Sequence, residues 1–89
     1  MVWSNAHAVK LDPRAEKELH AADPATRRRL FVAIVALAEN PRPPGCKRLH
    51  GPVKLWRVRV GDWRVLYDIA DRELIVLVLK VAHRREVYR

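Results

Sequence analysis

Three arginines stand in two short alternating stretches, Arg57 and Arg59 within residues 55–60 and Arg64 within residues 63–68. Between them lies Gly61-Asp62, a two-residue loop whose glycine suits a primed hairpin turn. A hairpin closed there sets Val60 opposite Trp63, Arg59 opposite Arg64, Val58 opposite Val65, Arg57 opposite Leu66 and Trp56 opposite Tyr67. Alternation then sends Trp56, Val58, Val60, Trp63, Val65 and Tyr67 to one face, which must be the core, and Arg57, Arg59 and Arg64 to the other. Like charges opposed across a strand pair destabilise it by a few tenths of a kcal/mol up to ~1. No acidic residue is expected on that face to neutralise them, so an anion is the natural complement. Removing Arg64 is accordingly expected to relieve repulsion at little loss of stability.

Guanidinium groups on an open sheet face bind phosphate, but phosphate chemistry needs more. Cleaving RNA by attack of a 2′-OH on the adjacent phosphorus requires a base near that hydroxyl, cations on the dianionic phosphorane and an acid for the leaving 5′-oxygen. Arginine fills the middle role, but its guanidinium stays protonated at any working pH and so makes a poor base. Residues 82–89 add His83, which titrates in the useful range, the guanidinium groups of Arg84 and Arg85, and Tyr88, a phenol able to donate a proton or stack on a base. This piece is expected to reach the rim of the arginine face. His7, His20 and His50 are scattered and read as ordinary surface or core residues. No Cys/His spacing suggests a metal site, no glycine-rich loop suggests a nucleotide cofactor, and Ser4 is too isolated to argue for a nucleophile. Neither metal nor cofactor is therefore expected.

Such a surface needs a scaffold, and 89 residues provide for one modest core, hence a single domain over residues 1–89. With 49% apolar residues the chain is no disordered tail, while 18 Lys+Arg against 10 Asp+Glu leave a formal charge of +8 that attracts polyanions, nucleic acid first. Cys46 alone cannot form an intrachain bridge, which suits a reducing compartment. The longest uncharged apolar runs fall well short of the ~20 residues of a membrane span, and the N-terminus lacks a signal pattern. A cytoplasmic protein with no membrane partner is expected.

Asp12-Pro13 and Asp23-Pro24 each place a capping carboxylate before a proline suited to the first helical position, predicting helices over residues 13–21 and from 24 to about 39, where Asn40-Pro41 intervenes. Residues 30–38 are apolar on every side, so the second helix needs cover on two faces. Residues 8–11 read as a short strand and residues 41–45 as an irregular connector. Residues 73–81 form a β-branched and leucine-rich run suited to a central strand covered on both faces. The order is β-α-α-β-β-β, an α+β fold with a mainly antiparallel sheet packed on two N-terminal helices.

The hairpin string from Trp56 to Tyr67, followed by Val81-Ala82-His83-Arg84-Arg85-Glu86-Val87-Tyr88, resembles the toxins of RelE/ParE toxin–antitoxin pairs. The likeness spans nearly the whole chain, including both helices, the Asn40-Pro41 stop and the Lys47-Arg48-Leu49 approach to the hairpin. It implies a microbial-RNase-like fold. On the RelE branch, which the Arg84…Tyr88 ending favours, it implies a metal-independent endoribonuclease that cuts mRNA in the ribosomal A site and so inhibits translation. The resemblance places catalytic or substrate-contacting roles on Arg57, Arg59, Arg64, Arg84 and Tyr88. His83 joins the catalytic group as the titrating base, and Lys47, Arg48 and Arg85 join Arg57 and Arg59 as RNA contacts. The implied partners are an acidic antitoxin, the ribosome and mRNA, with a toxin–antitoxin hetero-oligomer that binds operator DNA through the antitoxin. Well-studied RelE ribonucleases carry lysines where this chain has Arg57 and Arg59, and a lysine of depressed pKa can act as a base where arginine cannot. Two alternatives therefore stand: a ParE-like toxin that inhibits DNA gyrase without cutting RNA, and a degenerate toxin acting only as an antitoxin-bound co-repressor.

Overall fold

Both helices begin where the Asp-Pro pairs put them. In the computed structural model, which describes residues 6–51, 54–83 and 85, the carboxylate of Asp12 accepts from the backbone N–H of Arg14 and that of Asp23 from the N–H of Thr26. These caps start α1 (Pro13–Ala21) and α2 (Pro24–Ala36), each with proline in its first turn. The bonds from Thr26 hold the Asp23 carboxyl below its usual pKa.

The second helix ends at Ala36, sooner than the apolar pattern predicts. The N–H groups of Leu37, Ala38 and Glu39 bond to carbonyls three residues back, a tightening that closes the helix ahead of Pro41. Of its apolar residues, Leu30, Ile34 and Leu37 are buried, whereas Phe31 and Val32 are 58% and 63% exposed and Val35 is exposed as well. One face is covered by the chain itself, and the expected second cover is not supplied by the described residues.

The strands are β1 (Ala8–Leu11), β2 (Lys47–Arg48), β3 (Trp56–Val60), β4 (Trp63–Ala70) and β5 (Ile75–His83). They form one five-stranded sheet in the order β1-β5-β4-β3-β2. Only the β1–β5 pair is parallel. The two-residue β2 is absent from the sequence expectation, because so short a strand carries no periodicity and exists only by pairing with Arg57 and Trp56. The β3–β4 register is the one the turn dictates, with all five pairs as expected.

The core lies between the helices and one sheet face. Ala15, Leu19, Ala22, Leu30, Ile34 and Leu37 meet Val65, Tyr67, Val76, Val78 and Val81, with Trp56, Val58, Val60 and Trp63 packed around them. On β5, Val76, Val78 and Val81 are buried on the helix side while Ile75 and Leu77 remain half-buried on the other, so the strand is fully covered on one face and on the other only at Ala82, beside Arg64. The register shifts between Leu66 and Tyr67, which pair with Lys80 and Val78 and leave Leu79 as an extra residue. Beside this bulge β1 has ended, and Glu18 of α1 takes its place at the edge, accepting from the N–H of Val81 at 2.9 Å and from Nζ of Lys80 at 3.0 Å. Tyr67, fully buried, donates its hydroxyl to the Pro41 carbonyl at 2.7 Å and ties the 37–46 connector to the sheet. Burial raises its phenol pKa.

Candidate nucleic-acid interface

Register fixes which cations share a face. Lys47 pairs with Arg57 and Arg57 with Leu66, while Arg59 pairs with Arg64. Side chains of directly paired residues leave the sheet on the same side, so Lys47, Arg57, Arg59 and Arg64 occupy the face turned away from the helices. Arg48 pairs with Trp56 and therefore leaves from the opposite, helix-bearing side. There, with His50 and Lys54, it borders a small cavity of about 230 Å³ in the loop before β3.

The four cations differ in environment. Lys47 and Arg59 are exposed and Arg57 is half-buried. Arg64 is only 6% exposed, and its Nη1 donates to the carbonyls of Trp63 at 3.1 Å and Gly61 at 3.4 Å. Its buried Nε has no hydrogen-bond partner. Among the described residues no carboxylate lies within ion-pair distance of Arg59 or Arg64. The expected relief on removing Arg64 is therefore opposed by two lost hydrogen bonds, which the sequence does not reveal. The face is also not free of acid: alternation along β4 puts Asp68 on it, about 14 Å from Arg64 at ~3.4 Å per residue, with its Oδ1 accepting from the N–H of Ile69.

His83 closes β5 opposite Trp63, and the two rings meet edge to face with centroids 5.8 Å apart. The imidazole thus leaves the sheet on the Trp63 face, the side away from Arg59 and Arg64, and its Nδ1 accepts from the Arg85 N–H at 3.3 Å. What brings it near the arginines is the end of the sheet: Trp63 directly follows the Gly61-Asp62 tip, so β5 finishes beside the hairpin turn. Arg85 is exposed. Arg84 and Tyr88 lie outside the described residues.

At the tip Gly61 has φ 61°, the first central position of a type II′-like turn. The Nη2 of Arg29 lies 2.8 Å from where a Cβ on Gly61 would stand. Sequence periodicity on α2 gives no sign of this approach, which depends on how the helix crosses the hairpin. Among the described residues no group of three or more His, Cys, Asp or Glu side chains is placed to hold a metal ion.

Residues 9–88 match the family model described as the ParE toxin of the type II toxin–antitoxin system parDE. The chain is 28% identical to the toxin RelG of Mycobacterium tuberculosis over 93% of this chain and 97% of that one. It is 29% identical to the mRNA interferase toxin RelE of Escherichia coli over 93% and 90%. The archaeal RelE in the RelE–RelB complex from Pyrococcus horikoshii superposes with a TM-score of 0.78 at 27% identity, covering 89% of this chain and 96% of that one. A match over all but the chain's ends, joined to the two-helix, five-strand architecture, makes this protein a member of the RelE/ParE family of type II toxin–antitoxin toxins.

Proposed function

We propose that this toxin is an endoribonuclease that cleaves mRNA on the ribosome by attack of a 2′-OH on the neighbouring phosphate. The observation that carries the reading is the Arg59–Arg64 pair: two guanidinium groups opposed across a hairpin, one of them buried, and neither in ion-pair contact with a carboxylate among the described residues. A buried cation left without a counter-charge is costly, and a phosphate that gains charge in the transition state compensates it when catalysis needs it most. The likeness to a relative named mRNA interferase supports the same reading.

In this scheme Arg59 and Arg64 hold the phosphorane oxygens, while Arg57 and Lys47 track the adjacent backbone. Arg84 and Tyr88 supply a further phosphate contact and the proton for the 5′-oxygen. His83 serves as base to a 2′-OH presented round the end of β5, and Arg48 and Arg85 contact flanking RNA. Cleavage continues in EDTA and leaves a 2′,3′-cyclic or 3′-phosphate and a 5′-OH; products with a 5′-phosphate, or loss of cutting in chelator, count against it. An acidic antitoxin is the partner in a hetero-oligomer, covering Phe31, Val32 and Val35 and offsetting the net charge of +8.

The ParE description of the matching family model favours one other reading, a toxin that inhibits DNA gyrase. Brief expression followed by mapping of mRNA 5′ ends, with plasmid supercoiling read in parallel, separates the two. Cuts inside codons support the ribonuclease, and gyrase-linked DNA breaks with intact mRNA replace it by the gyrase inhibitor.

A further inference from the structure

Helix α2 opens with the run Arg27-Arg28-Arg29, and its three side chains have different fates. Arg27 donates from Nη2 to the carbonyl of Ala22 at 3.2 Å, bridging the junction between the helices. Arg28 is exposed and borders the groove that His20 and Phe31 also line. Arg29 instead extends across to the hairpin tip and rests its guanidinium against the bare Cα of Gly61. Arg64 reaches the same residue from the other side of the sheet, donating to the Gly61 carbonyl at 3.4 Å. With both groups on one residue, their nearest nitrogens lie no more than about 10 Å apart. Arg59 stands directly opposite Arg64 on the neighbouring strand.

We propose that the β3–β4 hairpin tip is a phosphate clamp for single-stranded RNA, closed from α2 by Arg29 and from the sheet by Arg59 and Arg64. The inference rests on the RNA-binding reading of the open face and adds to it a residue on a different element. Guanidinium groups gathered round one turn without an ion pair repel one another until an anion sits between them. Among the described residues none of the three has an ion-pair partner. Gly61 suits the clamp twice over: its φ of 61° makes the tight turn, and its missing Cβ leaves the place that the Arg29 guanidinium occupies, from which a side chain at residue 61 would push it aside. An arginine reaching from a helix also offers its planar fork to a phosphate at an angle the two strand arginines do not share.

The test uses the full chain and a fluorescent RNA oligonucleotide with 2′-O-methyl riboses, which binds without being cut. Affinity is measured against salt. Arg29→Gln is expected to weaken binding about fivefold to tenfold, and to lower the slope of log Kobs against log salt by about 0.7, the signature of one lost phosphate contact on a single strand. The melting temperature should stay at the wild-type value, because the residue is exposed and glutamine is a good helix former. Arg28→Gln removes the same charge one position away and should leave affinity and slope close to wild type. Wild-type binding by Arg29→Gln, or an equal loss in Arg28→Gln, overturns the clamp. Arg59→Ala measured alongside locates a failure. If Arg59→Ala weakens binding and Arg29→Gln does not, the clamp alone falls; if neither does, the RNA-binding reading of the face falls with it.

Discussion

Strand β4 runs between two turns that solve the same backbone problem with opposite chemistry. At the hairpin tip a glycine, Gly61, takes the positive φ of 61°, and Arg29 and Arg64 both approach it with no ion pair to a carboxylate among the described residues. At the far end Leu74 takes a positive φ of 54°, and the turn's carboxylate, Asp71, is gripped by Arg42 Nη2 at 2.8 Å and Nη1 at 3.3 Å, with His7 Nε2 at 3.3 Å. Arg42 in turn lies over the Trp56 ring, 5.0 Å from its centroid. The carboxylate of one turn is ion-paired, whereas the arginines at the other are not. A paired cluster is what a structural turn needs, whereas arginines left without an ion pair present themselves to a ligand.

The sharpest way to break this contrast is Arg64→Ala. Loss of one preorganised donor to a developing charge lowers rate by about 10² to 10³, so RNA cleavage and growth arrest should fall by at least about a hundredfold. Stability should drop by no more than ~2 kcal/mol, since two hydrogen bonds to carbonyls are lost but a buried charge facing Arg59 is lost with them. Unchanged toxicity with a wild-type melting temperature would show the tip to be an ordinary basic surface.

Tyr67→Phe probes the other end. Its hydroxyl holds the Pro41 carbonyl, and the next residue, Arg42, reaches Asp71 from there. The substitution leaves a carbonyl without its donor and should destabilise the fold by about 1–2 kcal/mol in chemical denaturation, with cleavage unaffected. A loss of activity that outruns the loss of stability would mean the two ends are coupled, contrary to the comparison.

The two ends also differ in how far they could be read in the chain. Gly61-Asp62 between alternating stretches fixes loop, register and faces at once, because a strand's period of two leaves one pairing that buries Trp56, Val58, Val65 and Tyr67 together. The capped helices were legible for the same reason: proline and aspartate act within a residue or two of where they stand. What escaped depends on distant contacts. The burial of Arg64, the reach of Arg29 to Gly61 and the placement of His83 on the Trp63 face follow from packing and from the end point of β5. Apolar composition predicts a longer α2 than forms, because it continues past Ala36 while the hydrogen bonding tightens. Asp68, by contrast, is legible: its parity with Arg64 puts it on the same face.

Leu74→Gly tests whether the far turn tolerates its strain for a reason. A left-handed backbone costs a non-glycine residue roughly 1–2 kcal/mol; glycine removes that but adds freedom to the unfolded chain. The Leu74 side chain is exposed, so little packing is lost. A net gain of about 0.5–1 kcal/mol is expected, with no change in RNA binding. A destabilised variant would show that the leucine packs in a way its exposure hides.

The smallest effect belongs to Asp71 itself, because the carboxylate is exposed and its partners are open to solvent. The hydrogen bonds from Arg42, then that of His7 and the nearby positive charges, hold its pKa below the ordinary carboxylate value of 3.8. A depressed folded pKa means that the contribution is fully present above the unfolded value, near pH 4, and is lost as pH falls through the lower folded one. Melting curves between about pH 2 and 6 should therefore show a shallower acid limb in Asp71→Asn than in the wild type. The limb should not flatten completely, because Asp23, whose pKa is likewise lowered by its bonds to Thr26, releases the α2 cap over the same window. Arg42→Gln should reproduce most of the Asp71→Asn effect, since Arg42 is the largest cause of the shift. An acid limb identical in all three proteins would mean that the Asp71 cluster does not contribute measurably to stability, and the contrast between the two turns would then rest on the cationic tip alone.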